Sequence, residues 1–176
     1  MILITGGSGS GKSEYAEKTA LNLKEKLSFN NMIYIATMIP IGCEATEKIE
    51  RHREMRNGKG FLTKECYKTE DIIKMSGFDV LKKSVVLLEC MSNLLANEIF
   101  SSKNENAYED IIKGMKIISE KSGGFIIVTN DVFSDGIEYD NETLRYTRYL
   151  AKINCALANL AEEVVEVVCG IPVYNH

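Results

Sequence analysis

The sequence predicts an α/β domain of three layers, with helices on both faces of a mostly parallel central sheet. Three observations carry that expectation. An apolar amino-terminal run breaks into a Gly/Ser-rich loop ending in Lys-Ser; further short apolar runs recur at residues 32–37, 84–89 and 125–130; and helical periodicity fills the stretches between them.

The first run, Met1 to Ile4, leads through Thr5 into Gly6-Gly7-Ser8-Gly9-Ser10-Gly11-Lys12-Ser13, which satisfies the spacing G-x-x-x-x-G-K-[ST] and opens a helical run. Glycines let successive N–H groups turn inward around an anion, and the following helix aims the positive end of its dipole at the same point. Lys12 then reaches the β- and γ-phosphates, and the Ser13 hydroxyl is placed to ligate Mg²⁺. A Gly/Ser-rich turn that merely ends in Lys-Ser is the alternative, but the strand before and the helix after it are those the motif requires. A P-loop NTPase-type (RecA-like) domain, taking Mg²⁺ with GTP or ATP, is therefore expected, and residues 1–176 are read as that single domain.

The remaining elements follow in order. Ser13 to Leu27 is helical, and Met32 to Thr37 is a buried strand rich in β-formers, so the first three elements form a right-handed parallel crossover. Glu44 to Arg56 is a charged helix, and Phe61 to Tyr67 a short strand after the Asn57-Gly58 turn. Ser84 to Glu89 is a continuous apolar run closed by a carboxylate, as in a central strand covered on both faces. Cys90 to Phe100 is expected to be helical, then Tyr108 to Lys121, stopped by Gly123-Gly124. Phe125 to Asn130 is the next strand. The longest helix is expected from about Asn141 to Glu163, with Leu150, Ile153, Leu157, Leu160 and Val164 on one face and Arg145, Arg148 and Lys152 on the other. Val164 to Val168 and Ile171 to Tyr174 close the chain as strands around Gly170.

Composition bounds the function. With 45% apolar and 26% charged residues and a net charge of −4, nothing draws the chain as a whole to nucleic acid or to an anionic membrane. The five cysteines, Cys43, Cys66, Cys90, Cys155 and Cys169, form no C-x-x-C pair and suggest neither a disulfide framework nor a zinc site, which suits a reducing cytoplasm. No leader-like segment precedes the first strand and no run approaches eighteen apolar residues, so neither export nor membrane insertion is expected.

Ligands of such sheets bind beyond the carboxyl ends of the strands. The loop, Thr37 and its successors, Glu89 and Asn130-Asp131 all fall there, so one crevice can hold all four. Glu89 is either the carboxylate that holds Mg²⁺ with Ser13 or the first solvated residue after a core strand. His52 lies between Lys48 and Arg56 at helical i−4 and i+4 positions; that cationic stripe attracts polyphosphate and favours a neutral imidazole, the form that attacks phosphorus. A single histidine on a charged helix is nevertheless more often a surface residue, and its residue environment alone does not make it catalytic. Arg145, Arg148 and Lys152 are either a phosphate clamp or, more simply, a solvated face. Asn130-Asp131 is equally readable as a cap.

Several separate segments resemble one family. ILITGGSGSGKSEYAE, YIAT at 34–37, EATEKIERHR with His52, VVLLEC at 85–90, VTND at 128–131 and VVCGIPV near the end are similar, in order, to the bifunctional adenosylcobinamide kinase and adenosylcobinamide-phosphate guanylyltransferase of cobalamin biosynthesis. The resemblance implies that one nucleotide site serves two reactions. A nucleoside triphosphate, ATP or GTP, phosphorylates adenosylcobinamide; His52 then accepts GMP from GTP and passes it to that phosphate. Lys12 and Mg²⁺ near Ser13 and Glu89 are implied to neutralise the transferring phosphates. It also implies a homo-oligomer, a trimer in the family. Gly9 stands where the family has Arg, Asp131-Val132-Phe133 where it has Glu-Val-Gly, and Arg148-Tyr149, Ala151-Lys152 and Asn154-Cys155 depart from the pattern of the long helix. The readings set against it are a small-molecule kinase lacking guanylyl transfer and a non-catalytic nucleotide-binding regulator, although the chain has no guanine-reading Asn-Lys-x-Asp motif.

Overall fold

A computed structural model describes residues 1–77, 79–131 and 140–175. The elements run β1 (Ile2–Thr5), α1 (Lys12–Lys26), β2 (Asn31–Ala36), α2 (Cys43–Arg56), β3 (Phe61–Glu65), α3 (Thr69–Met75), β4 (Ser84–Glu89), α4 (Met91–Ala96), α5 (Ala107–Lys121), β5 (Gly124–Val128), α6 (Asn141–Leu160), β6 (Glu163–Val168) and β7 (Ile171–Tyr174). The seven strands form one sheet in the order β3-β2-β4-β5-β1-β6-β7, parallel throughout except for the β6–β7 hairpin. The mostly parallel α/β fold read from the sequence is thus observed.

Continuous apolar runs become central strands because both faces of the sheet are covered. In β2, Ile33 and Ile35 point into the larger core, shared with Leu94 and Leu95 of α4, Ile111, Met115 and Ile118 of α5, and Leu150, Ile153 and Leu157 of α6. Met32 and Tyr34 point to the opposite face, where Ala16 and Ala20 of α1 lie against Ile4, Leu87, Val128 and Val165. Small residues on α1 let it approach the sheet closely. Since strand side chains alternate, Glu89 emerges on the α1 face, the same side as Leu87 and Tyr34. Strand alternation thus aims the carboxylate at the start of α1.

Two expectations are corrected. The longest helix ends at Leu160, and Val164 belongs to β6, paired with Leu3 of β1. The Val164-Val165 pair fits either period, and its β-branched side chains find a better place beside β1. The helix expected from Cys90 to Phe100 divides into α4 and a π-helical turn over Asn97–Ser101. That wider turn carries buried Asn97, whose amide donates to the carbonyls of Thr37 (2.8 Å) and Tyr67 (3.1 Å) and so ties the ends of β2 and β3 together. Val132 and Phe133, cited for a departure from the family, lie outside the described residues. Among those described, no helix is long and apolar enough to cross a membrane.

Candidate active site

The carboxyl ends of β1, β2, β4 and β5 surround a cavity of about 510 Å³, lined by Ser8 to Glu14, by α2, by Glu89 and by Asn130. It lies where the chain steps from β1 over two strand positions to β2, the kind of switch point at which α/β sheets bind ligands. The four expected elements do converge: the loop, the residues after Thr37 through Met38 and Pro40, Glu89, and Asn130.

Within the loop the glycines divide into two roles. Gly6 is behind the lining with φ of 145°, and a Cβ there would meet the Val167 carbonyl oxygen at 2.5 Å. Gly11, the residue before α1, has φ of 93° and lies against Gly170 of the β6–β7 turn. Ser8, Gly9 and Ser10 face the cavity, Gly7 is exposed, and Gly7 accepts from Ser10 N–H (3.2 Å). Lys12 is buried, and its Nζ donates to the Gly7 carbonyl at 2.6 Å, which draws the ammonium across the loop. Burial pushes its pKa below the ordinary lysine value, while Cys90 and then Glu89 oppose that shift.

Glu89 is the hub of the opposite side. Ser13 Oγ donates to its Oε1, Tyr34 donates to its Oε2 at 3.1 Å, and His52 Nδ1 lies 3.5 Å from Oε1. Glu89 is buried at 8% exposure, so the reading of it as a solvated strand terminus does not hold. Burial, followed by the charge of Glu89, pushes the Tyr34 phenol far above its ordinary value, so this hydroxyl stays a donor. The hydroxyl of Ser13 and the carboxylate of Glu89 make a small, hard oxygen set at the loop. One carboxylate beside a hydroxyl and substrate phosphates is how Mg²⁺ is commonly held, so these residues fit that ion.

His52 faces the cavity at 22% side-chain exposure, rather than bulk water. Lys48 and Arg56 line the cavity beside it, as the stripe required, although Lys48 also pairs with Glu44 at 2.6 Å. Arg56 is the residue that sequence reasoning undervalued. It is 7% exposed, its guanidinium carbon lies 3.5 Å from the centroid of the Tyr34 ring, and its Nε and Nη1 have no hydrogen-bond partner. Buried donors without partners on a cavity wall suit a ligand anion or carbonyl. The only advance signal was its place four residues after His52. Arg145, Arg148 and Lys152 are exposed on α6 and outside the lining, which favours the solvated-face reading. Thr37 acts beneath the site: its hydroxyl donates to the Cys90 carbonyl and accepts from Cys90 N–H, both at 2.8 Å.

The chain is 28% identical to the bifunctional adenosylcobalamin biosynthesis protein CobU of Salmonella typhimurium and 27% identical to that of Escherichia coli, over 98% of each chain in both cases. Among solved structures it is similar to the flagellar accessory protein FlaH of Methanocaldococcus jannaschii, with a TM-score of 0.53 and 16% identity over 94% of this chain and 69% of that one. The ATPase domain of G40P superposes with a TM-score of 0.52 and 11% identity, covering 94% and 68%. At those identities the structural likeness speaks for the fold alone. The match of residues 2–174, which include the phosphate loop, Glu89 and His52 of this cavity, makes this chain a member of the cobinamide kinase / cobinamide phosphate guanyltransferase family, CobU.

Proposed function

We propose that both transfers of this cobinamide kinase and guanylyltransferase family run in the one cavity, with the phosphate loop shared and His52 as the covalent carrier of GMP. The observation that carries this reading is the meeting of His52 and the loop at one carboxylate: Glu89 Oε1 accepts from Ser13 and lies 3.5 Å from His52 Nδ1. With Nδ1 turned to Glu89, the ring's other nitrogen, Nε2, carries the lone pair for attack.

In the kinase step the substrate hydroxyl of adenosylcobinamide forms a bond to the γ-phosphorus, the bond to the bridging oxygen breaks, and the hydroxyl proton passes to water. Lys12 and the loop N–H groups face the charge left on the departing nucleoside diphosphate. In the second reaction Nε2 of His52 bonds to the α-phosphorus of GTP and pyrophosphate leaves. A phosphate oxygen of adenosylcobinamide phosphate then displaces the imidazole, giving adenosylcobinamide-GDP and restoring His52. Mg²⁺, held by Ser13 and Glu89, would supply charge neutralisation on the phosphates.

Incubation with GTP labelled at the α-phosphate tests this. Acid-labile label is expected on the wild-type chain and none on His52→Ala, with phosphorylation of adenosylcobinamide retained in that variant. Label that persists in His52→Ala, or a wild type that phosphorylates adenosylcobinamide yet takes no label, overturns it.

A further inference from the structure

Helix α2 carries His52, yet of its 14 residues only Arg56 is buried. No apolar stripe fixes how the helix is rotated about its axis, so its rotation depends on individual side-chain contacts. The Arg53–Glu65 pair, at 2.8 Å, has both side chains about half exposed and holds little. Arg56 sits one helical turn after His52, on the same face, and its guanidinium rests on the ring of Tyr34.

That ring is itself immobilised. Tyr34 is 3% exposed and meets Phe61 edge-on, with centroids 6.2 Å apart and planes at 81°. Its hydroxyl meanwhile holds Glu89 Oε2, which leaves Oε1 directed at Ser13 and His52. One rigid side chain on β2 therefore touches both the seat of the His52 helix and the carboxylate that faces the imidazole.

We infer that Tyr34 is a positioning residue for guanylyl transfer, its ring setting the rotation of α2 through Arg56 and its hydroxyl setting the Glu89 carboxylate against His52. The inference rests on His52 being the guanylyl carrier. It assigns Tyr34 no contact with the reacting atoms: the residue acts through two others, and the phosphoryl transfer, which needs no imidazole, depends on it less.

The test uses the full chain as wild type, Tyr34→Phe and Tyr34→Leu. Two rates are measured on each preparation: formation of the GMP adduct at His52 from α-labelled GTP, and phosphorylation of adenosylcobinamide. Phenylalanine keeps the ring under Arg56 and loses the bond to Glu89; leucine loses both. Adduct formation is expected to fall roughly tenfold in Tyr34→Phe, the effect of a hydrogen bond to a charged group. It should fall a further few-fold in Tyr34→Leu, the effect of a cation–π contact. The fall should appear in kcat more than in KM for GTP, and the ratio of adduct formation to phosphorylation should decline in the same order. A ratio equal in all three proteins overturns the inference, because a merely structural role would lower both rates together. If Tyr34→Leu does not fold, the ratio in Tyr34→Phe decides alone. A wild type without adduct overturns the reading of His52 instead.

Discussion

On one side of the cavity the phosphate loop is held by backbone. Asp131 N–H donates to the Gly6 carbonyl (3.1 Å), Gly170 N–H to that of Ser10 (2.8 Å), and β1 is enclosed between β5 and β6. On the other side α2 is held by side chains: Arg56 on Tyr34, His52 beside Glu89, and, just past its end, Lys59 paired with buried Glu17 at 2.6 Å. The first wall is fixed by backbone contacts, which suits the proposed binding of one polyphosphate for both reactions. The second is assembled from contacts that can be altered one at a time. On the proposed reading, a single cavity thus joins a fixed grip on phosphate to an adjustable presentation of the imidazole.

Removing the charge on the fixed side sharpens that contrast most. Lys12→Ala is expected to lower both reactions by roughly 10²- to 10³-fold, the scale for losing one preorganised electrostatic contact to a transferring group. Steady-state phosphorylation and adduct formation at His52 check it, and a loss confined to one of the two would break the idea of a shared loop.

Gly6→Ala attacks the same wall through its backbone. A φ of 145° and a Cβ 2.5 Å from the Val167 carbonyl oxygen should cost roughly 1–3 kcal/mol of stability. Urea unfolding measures it, and an unchanged midpoint would mean that the loop is less constrained than its geometry implies.

Arg56→Met is the mildest change and separates the walls most cleanly. The linear side chain keeps apolar cover on Tyr34 while removing a buried guanidinium with two unpartnered donors, so stability should stay within about 1 kcal/mol or rise. Adduct formation at His52 should nevertheless slow, with phosphorylation affected less. Thermal unfolding and the two rates check this. A large drop in melting temperature would show Arg56 to be a structural pillar rather than a seat.

The difference between the walls also explains what was legible in the sequence. The loop could be read because its glycines report local backbone demands at fixed spacing, and β2, β4 and β5 because double-sided burial leaves unbroken apolar runs. His52 could be placed on a helix beside Lys48 and Arg56, and the family resemblance added the role proposed for it. The seat of α2 could not be read: whether Arg56 finds the Tyr34 ring depends on strand register and side-chain direction. For Glu89 the sequence offered both the Mg²⁺ carboxylate and the solvated terminus, and what could not be read was that β2 and α1 bring Tyr34 and Ser13 to it. Helix α3, only seven residues long, offered too few turns for a periodic signal, and the π-helical turn at Asn97–Ser101 has the same apolar spacing as an ordinary helix end.

The neighbours of β1 carry one more consequence. This strand is made before either of its partners, since it pairs with β5 and β6, and the bend that follows it leans on the β6–β7 hairpin through Gly170. A nascent chain that has emerged only as far as β4 offers β1 no partner in the sheet, so its glycine-rich tip cannot yet be shaped to grasp a nucleotide. Residues made before their sheet neighbours become competent only after them, and ligand capture waits on the synthesis of β5 and β6.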